Sequence, residues 1–235
     1  MMQRLDKTLS KELNISRSEA KQLIKKGSVK VNGALASSDS KCAEDDVISV
    51  NGKEIKQNKF VYIMLNKPQG AVSATEDKSE KTVIDLLPEE MRRKGLFPAG
   101  RLDKDTTGFL LLTDDGEFAH SILSPKKHID KIYTARLDKP INEDIINDFE
   151  SGMQLGDSLL QSAGLETIDG DNTFVKITLR EGIYHQIKRM FKKHGITVVE
   201  LRRIAMGGLF LDSSLKEGES RYITFEELGK IKPSK

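Results

Sequence analysis

The chain contains a single cysteine, Cys42, among its 235 residues. One thiol cannot form an internal disulfide, which excludes the class of small secreted domains held together by disulfides and fits a reducing cytosol. No apolar run approaches the roughly 20 residues that a membrane-spanning helix needs. The first thirteen residues, MMQRLDKTLSKEL, also lack the apolar core of an export signal. We therefore expect a cytoplasmic protein without a membrane segment.

Net charge is also small, because 38 Lys and Arg are balanced by 36 Asp and Glu. The charges are unevenly distributed, however. Residues 1–30 contain eight basic and three acidic side chains, and residues 176–203 contain eight and two. Such runs are often merely solvated, but two basic islands on an acidic body indicate a polyanion that is contacted at defined places. The length is enough for one or two domains with their own cores.

The first fifty residues are typical of a small unit of two helices and a hairpin. Leucines at every fourth position of 5–13 predict an amphipathic helix. Ser16 and Glu19 form a capping box that begins a second helix. Alternation predicts strands at 29–31 and 47–50, each followed by an Asn-Gly turn. The second helix has basic residues four apart on one side: Arg17, Lys21 and Lys25.

This unit resembles the alpha-L RNA-binding motif of a small-subunit ribosomal protein and of several RNA-modifying enzymes. The matching residues are Arg4-Leu-Asp-Lys7, Ser16-Arg-Ser18, Ala20, Leu23-Ile24, Gly27, Val29-Lys-Val-Asn-Gly33 and Asp46-Val-Ile-Ser-Val50. A basic helix suits phosphate contacts, which position RNA without reading its sequence. We therefore expect Arg17, Lys21 and Lys25 to bind RNA. The polar stretch 53–59 reads as a linker, so that the domains are predicted at 1–58 and 59–235.

The second domain is predicted to mix strands joined by hairpins with intervening helices, an α+β fold with a mainly antiparallel sheet. Predicted strands are 60–65, 109–112, 131–137, 159–168, 173–179 and 198–201, and predicted helices are 82–87, 88–91, 117–123, 142–151, 184–194 and one that begins at Thr224.

The stretch 100–116, GRLDKDTTGFLLLTDDG, places Asp103 and Asp105 on a loop just before a short apolar strand. A loop held by a strand is a common way to position reactive carboxylates. The simplest interpretation is that both residues only cap turns. A calcium loop is excluded, because its twelfth position is Asp114 rather than Glu and 96–101 cannot form the entering helix.

Two enzymatic interpretations of this loop stay open. One is the Asp-x-Asp loop of magnesium-dependent phosphotransferases, although that loop should follow a fully apolar parallel strand. The other is a single carboxylate, Asp103, that attacks a sugar or a base within RNA, with Asp105 serving only the turn.

Two further stretches are ambiguous by themselves. Tyr133 is typical of a half-buried strand residue. The predicted helix 184–194 has a cationic side that is most simply solvated. His185 and His194 have no acidic or cysteine partner at metal-ligand spacing, so a metal site is not expected.

Taken in order, the motifs of this region resemble those of the RNA pseudouridine synthases, most closely the branch that modifies bacterial small-subunit (16S) rRNA. They are Met64-Leu-Asn-Lys-Pro-Gln-Gly70, Ala99-Gly-Arg-Leu-Asp103 through Thr106-Thr-Gly108, Leu112-Thr-Asp-Asp-Gly116, Ser124-Pro-Lys-Lys127, Lys131-Ile-Tyr133 and Tyr184-His-Gln-Ile-Lys-Arg-Met-Phe191.

The resemblance implies a catalytic set of Asp103 as nucleophile, Tyr133 as active-site tyrosine and Lys188 as the basic partner of the aspartate. It also implies an RNA-contacting role for Arg101 in base flipping, and the basic helix adds Arg189 and Lys192. Turning uridine into its C-linked isomer involves no redox step and no net hydrolysis, so no cofactor or metal is expected.

The expected protein is thus a monomeric isomerase of ribosome biogenesis. Its partner would be 16S rRNA, either free or within a small-subunit assembly intermediate. The alternatives are a sister synthase acting on large-subunit rRNA or tRNA, a magnesium-dependent phosphotransferase, and a non-catalytic ribosome-binding protein.

Overall fold

The computed structural model describes residues 2–13, 15–43, 45–55, 60–124, 129–156 and 158–232. Most of the expected linker and of the Ser124-Pro-Lys-Lys127 motif lies outside the described residues. The chain divides into two compact units, which are treated separately below. Among the described residues, no helix is long and apolar enough to cross a membrane.

The first unit comprises the described residues of Met1–Val61 together with Pro88–Leu96. Its elements are β1 (Gln3–Arg4), α1 (Leu5–Glu12), α2 (Arg17–Lys25), β2 (Val29–Val31), β3 (Ala34–Leu35), β4 (Lys41–Cys42), β5 (Ile48–Val50), β6 (Lys53–Ile55) and a 3-10 turn at Glu89–Met91. Strands β3, β2, β5 and β6 form an antiparallel sheet in that order, and β1 pairs with β4. The predicted arrangement of two helices and a hairpin is confirmed.

Local sequence explains the start of α2 and the first hairpin. The Ser16 hydroxyl accepts a hydrogen bond from the Glu19 amide while the Glu19 carboxylate accepts one from the Ser16 amide, as the capping box predicts. Asn32 and Gly33 both have positive φ, the backbone that a two-residue hairpin turn requires. The core of the unit consists of Leu5, Leu9, Ala20, Ile24, Val29, Cys42 and Ile48.

The second unit comprises Tyr62–Leu87 and the described residues of Phe97–Lys235. Its strands are β7 (Tyr62–Lys67), β8 (Phe97–Pro98), β9 (Thr107–Thr113), β10 (Lys131–Leu137), β11 (Gln154–Leu155), β12 (Ser158–Leu159), β13 (Gly164–Ile168), β14 (Asp171–Leu179), β15 (Val198–Met206), β16 (Leu209–Phe210) and β17 (Ser220–Tyr222). Its helices are α3 (Gly116–Leu123), α4 (Glu143–Ser151), α5 (Gln186–Lys193) and α6 (Phe225–Leu228).

Within the described residues, one large sheet organises this unit. Its strand order is β13-β14-β10-β15-β9-β7-β17, with β16 added to β15 and β8 added to β9. The pairing of β15 with β9 is parallel and the other pairings are antiparallel. The predicted α+β class with a mainly antiparallel sheet is therefore confirmed.

Buried side chains of α4 and α5 share a core with β10, β13, β14 and β15. Phe149 of α4 and Phe191 of α5 lie with their ring centroids 4.9 Å apart in this core. The inner side predicted for residues 184–194 is confirmed, because Ile187 and Phe191 are both buried. This core fixes α5 relative to the sheet, and α5 carries part of the site described below.

Four predictions differ from the structure. Residues 53–55 of the expected linker form strand β6, which pairs with β5 in the sheet of the first unit. Residues 82–87 form turns rather than a helix, although Thr82 and Asp85 make the reciprocal hydrogen bonds of a helix start. The Val83 amide instead donates to the Val72 carbonyl, and Pro88 disfavours a helical backbone at the residue before it. The helix predicted at 88–91 is only a 3-10 turn. The strand predicted at 159–168 is interrupted, with separate strands at Ser158–Leu159 and Gly164–Ile168.

Candidate active site

Asp103 and Asp105 lie on the loop between β8 and β9, and Lys67 holds this loop in place through hydrogen bonds to its backbone. The Lys67 ammonium is completely buried and donates to the carbonyl oxygens of Pro68, Lys104 and Thr106 at 3.0, 3.2 and 2.9 Å. Burial lowers the pKa of Lys67 to about 8, against the opposing effect of the nearby carboxylates of Asp105 and Asp103. The carbonyl groups that flank Asp105 therefore have a fixed, charged donor.

A second clamp holds the start of the same loop. The Ser73 hydroxyl donates to the Leu102 carbonyl at 2.8 Å and accepts from the Leu102 amide at 3.0 Å. Both polar groups of the residue preceding Asp103 are thereby satisfied inside the protein. Buried backbone groups without partners are costly, so this pair of hydrogen bonds favours one loop conformation.

Gly108, at the start of β9, allows the loop to approach β15. It has φ +96°, and a Cβ at this position would collide with the backbone carbonyl oxygen of Arg203. A side chain here would push apart the parallel pair formed by β9 and β15. The glycine that follows the two acidic residues is thus required by the packing of the strands.

The opposite wall of the site is the turn that leads into α5. The Gln186 side chain donates to Glu181 Oε1 at 2.7 Å, and its own amide oxygen accepts from the Ile183 amide at 3.1 Å. His185 then adopts a left-handed backbone with φ +51°, which is why α5 begins at Gln186 rather than at Tyr184. From this wall the His185 ring and the Lys188 side chain face the acidic loop.

The Asp103 carboxylate lies between two nitrogen atoms of this wall. Its Oδ1 is 3.4 Å from His185 Nε2, and its Oδ2 is 3.5 Å from Lys188 Nζ. The Asp103 side chain is 27% exposed, so that it is accessible from the cleft. These separations are at the long end of hydrogen bonding, and they leave the carboxylate oxygens open to a further partner.

Lys188 makes its shorter contacts with Asp105, at 2.6 and 2.7 Å to the two carboxylate oxygens. The prediction that Asp105 serves only the turn is therefore wrong. Partial burial of Asp105 favours its neutral form, but the hydrogen bond and charge of Lys188 outweigh this effect and hold the pKa of the Asp105 carboxyl below its usual value. Lys188 is thus shared by the two acids, with Asp105 as its nearer partner.

One open cleft brings the three predicted catalytic residues together: Asp103, Tyr133 and Lys188. Tyr133 is half-buried on β10 and also packs on the core, so its predicted strand environment is confirmed. Arg101 lies exposed at the same cleft. Sequence and structure thus converge on one surface for four residues that are up to 87 positions apart in the chain.

The remaining predicted RNA contacts lie elsewhere. Arg189 and Lys192 are exposed on α5 but are not among the residues that line the cleft. Lys21 and Lys25 belong to the first unit, where they line a second open cleft together with Arg4.

Arg17 is held differently from the other two members of its stripe. Its guanidinium contacts both oxygens of Asp6 at 3.1 Å, and the Asp6 side chain is almost completely buried. The hydrogen bond from Arg4 is the largest of the effects that lower the pKa of Asp6 to about 2, and Arg17 reinforces it against the opposing effect of burial. Arg17 therefore has a structural partner that the helical spacing did not reveal.

Sequence reasoning assigned no functional part to Lys67 or His185, and it gave Asp105 one only in the phosphotransferase alternative. The sequence did contain an indication for Lys67, which ends an apolar run just before Pro-Gln-Gly. A lysine in such a buried position needs several carbonyl acceptors. No local pattern identifies the other two, since their contacts join segments about eighty residues apart.

Two family models match the chain. The model described as RNA pseudouridylate synthase matches residues 61–193, and the S4 domain model matches residues 3–48. The synthase match covers most of the second unit and the S4 match lies in the first, and the predicted N-terminal RNA-binding unit is confirmed as an S4 domain. The described site falls inside the first of these matches.

Full-length relatives give the same result. The chain is 46% identical to an uncharacterized RNA pseudouridine synthase of Bacillus subtilis, with 96% of each chain covered. It is 40% identical to the ribosomal small subunit pseudouridine synthase A of Escherichia coli, with 97% of this chain and 99% of the relative covered. A crystal structure of a pseudouridylate synthase, 38% identical, superposes with a TM-score of 0.69 over 97% of this chain and 99% of its own. The chain therefore belongs to the RNA pseudouridine synthase family, whose members are isomerases, and combines an S4 domain with the synthase domain.

Proposed function

We propose that the protein converts a uridine of small-subunit (16S) rRNA into pseudouridine, with Asp103 as the nucleophile. The observation that carries this proposal is the Asp103 carboxylate, which is accessible from the cleft and faces His185 and Lys188 with its two oxygens. An accessible carboxylate beside a cation is suited to capture an electron-poor carbon.

The proposed reaction preserves all atoms. The bond between ribose C1′ and base N1 breaks, its electrons pass to the base, and the Asp103 carboxylate stabilises or captures C1′, as carboxylates do in glycosidases. The detached base turns, and a bond forms between C5 and C1′ while the ester bond to Asp103, where formed, breaks. C5 then loses its proton and N1 gains one, which completes the isomer without redox change or net hydrolysis.

The other residues of the cleft have supporting parts in this proposal. Lys188 keeps the acidic loop charged and in place. The ring of Tyr133 packs on the base, and Arg101 occupies the space that the uridine leaves when it is flipped out of the RNA. Lys21 and Lys25 of the S4 domain and Arg189 and Lys192 of α5 contact phosphates, which fix the position of the RNA.

The choice of 16S rRNA is supported by relatives of nearly equal length that are named ribosomal small subunit pseudouridine synthase A. We propose that the protein acts as a cytoplasmic monomer, on free 16S rRNA or on a small-subunit assembly intermediate. Its synthase domain would begin near residue 59, after the RNA-binding domain of residues 1–58. A sister target in large-subunit rRNA or tRNA is the alternative.

Pseudouridine mapping tests this proposal directly. Total rRNA and tRNA are compared from cells with the protein, without it, and without it but expressing Asp103→Asn. We expect one position of 16S rRNA to lose its pseudouridine in the second and third strains. A lost position in large-subunit rRNA or tRNA would refute the 16S assignment, and an unchanged map in all RNAs would refute the activity.

A reaction in solution separates the remaining alternatives. Purified protein is incubated with unmodified 16S transcript or with small-subunit particles from the deletion strain, with and without a chelator. Isomerisation that survives complete chelation contradicts a magnesium-dependent phosphotransferase. A reaction on only one of the two RNA forms identifies the natural substrate.

A further inference from the structure

Two consecutive aromatic side chains stack at the edge of the cleft. The rings of Tyr184 and His185 are 3.8 Å apart between centroids and inclined by only 17°. Tyr184 is 75% exposed, whereas the His185 side chain is 37% exposed. One face of the tyrosine ring thus rests on the histidine and the rest of the ring is available to solvent.

This stack depends on an unusual backbone. Neighbouring side chains point to opposite sides of a strand and about 100° apart on a helix, so neither element brings two adjacent rings face to face. The left-handed conformation of His185, at φ +51°, turns the chain sharply enough to do so. Non-glycine residues in this region are uncommon and cluster at functional sites, where the surroundings maintain them.

The position of the stack relates it to the nucleophile. The inner ring, His185, is 3.4 Å from Asp103 Oδ1 through its Nε2 atom, and it lines the cleft. The outer ring, Tyr184, does not line the cleft. The exposed ring of Tyr184 therefore lies immediately outside the cleft, next to the residue that contacts Asp103.

We propose that the exposed face of Tyr184 binds the nucleobase next to the flipped uridine. The inference rests on the proposed function. Flipping a nucleotide removes a stacking partner from its neighbour, and an aromatic side chain replaces that partner. The 3.8 Å separation of the two rings is close to the rise of about 3.4 Å between stacked bases, so the neighbouring base extends an existing stack. Because every base has a π-face, this subsite has little sequence preference.

The experiment combines Tyr184 variants with altered RNA. The probe is a short RNA that spans whichever uridine the wild-type protein is found to isomerise, so that a target outside 16S rRNA refutes that assignment but leaves this test intact. In matched RNAs, an abasic nucleotide replaces the base immediately before or immediately after the target. Dissociation constants and single-turnover rates are measured for wild type, Tyr184→Phe and Tyr184→Leu.

We expect Tyr184→Leu to weaken binding of the intact RNA by about 5- to 150-fold, with a larger effect on the dissociation constant than on the rate. Tyr184→Phe keeps the ring and should bind within about twofold of wild type. One of the two abasic RNAs should bind wild type more weakly by a similar factor. The same RNA should bind Tyr184→Leu about as well as the intact RNA does, because the missing base would have stacked on the ring that this variant lacks.

Phe210 on β16 is the matched control, because it is also a large exposed ring, at 57% exposure, but has no part in the site. Phe210→Leu should therefore bind like wild type. The proposal is overturned if, at both positions, the abasic nucleotide weakens binding equally in wild type and in Tyr184→Leu. It is also overturned if Tyr184→Leu lowers only the single-turnover rate and leaves the dissociation constant unchanged, as expected if Tyr184 merely supports His185. The abasic measurements with wild type do not depend on folding of a variant, and no penalty at either position also overturns it.

Discussion

Lys188 Nζ lies 2.6 Å from Asp105 Oδ1 and 3.5 Å from Asp103 Oδ2. The cation thus belongs to both acids of the loop, and its closer bond is to the residue that is not the proposed nucleophile. Such charge-assisted hydrogen bonds are the stronger kind in proteins. Asp105 therefore holds the lysine at the site and leaves Asp103 with a cation nearby but with its oxygens open.

The first prediction concerns this division of work. Asp105→Asn removes the charge that holds Lys188, and the single-turnover rate on RNA should fall by about tenfold, the amount expected for removal of one charge-assisted hydrogen bond. RNA affinity should change less than the rate. Asp105→Glu keeps the charge and should recover part of the loss. A wild-type rate in Asp105→Asn would show that Asp105 has no part in positioning Lys188.

The second prediction concerns the nucleophile. Asp103→Asn keeps the size of the side chain but removes the carboxylate, so isomerisation should be abolished while the dissociation constant for RNA stays close to that of wild type. Asp105→Asn, measured in parallel, is the matched control. If both variants lost activity equally, the two acids would act as one unit, as in a two-carboxylate metal site. Turnover by Asp103→Asn above trace contamination would remove Asp103 from the mechanism.

Local features of the fold could be predicted from sequence because they depend on neighbours in the chain. The capping box of Ser16 and Glu19 and the α+β order of elements are of this kind. Local prediction failed at residues 82–87, where Thr82 and Asp85 form the same reciprocal bonds as Ser16 and Glu19 but no helix follows. The Val83 amide there donates to the Val72 carbonyl, a contact outside the segment that periodicity alone does not weigh, and Pro88 ends the segment.

The site was predictable only in part for the same reason. Motif resemblance selected Asp103, Tyr133 and Lys188, and the structure places all three at one cleft. It did not show which acid lies nearer to Lys188, because that depends on how two segments 83 residues apart are packed. The buried ammonium of Lys67 below the loop is likewise a product of tertiary packing.

The third prediction separates RNA-binding charges from structural charges in the S4 domain. Replacing Lys21 and Lys25 by Ala should reduce the slope of log affinity against log salt by about 0.7 to 0.9 for each phosphate that the variant no longer neutralises. Arg17→Ala should instead mainly destabilise the domain, because Arg17 is bonded to buried Asp6. Binding of RNA across a salt series measures the slopes. An unchanged slope in the double variant would mean that the stripe is only solvated.

The fourth prediction concerns acid stability. The pKa of Asp6 is lowered to about 2, so its ion pairs stabilise the folded state fully above the ordinary carboxyl pKa of about 4, and this stabilisation disappears as pH falls from about 4 to about 2. Asp6→Asn should cost about 1–2 kcal/mol of unfolding free energy at pH 7, since its arginine partners are half exposed, and progressively less toward pH 2.

Urea titrations at pH 7 and pH 3, followed by hydrogen exchange in α1 and α2, measure this difference. Asp45→Asn is the control, because Asp45 is an exposed acid of the same domain. Equal destabilisation by Asp6→Asn at both pH values would contradict the linkage.

The last prediction concerns Lys188 itself. Lys188 holds the pKa of the Asp105 carboxyl below its usual value, so Lys188→Met should let that pKa rise while Asp103 loses the cation that faces it. The rate at neutral pH should therefore fall, and the acidic limb of the pH–rate profile should move to higher pH. Lys188→Arg retains the charge with a different geometry and should recover only part of the rate.

Lys192→Met is the matched control, because Lys192 lies one turn further along α5, exposed and away from the cleft. It should weaken RNA binding and leave the shape of the pH profile as in wild type. Single-turnover rates from pH 5 to 9 with saturating RNA compare the three variants. An unshifted acidic limb in Lys188→Met, or a loss no larger than that in Lys192→Met, would reduce Lys188 to a phosphate contact. A shifted limb would instead tie the charge of the acidic loop to the rate of isomerisation, since saturating RNA removes any effect of binding.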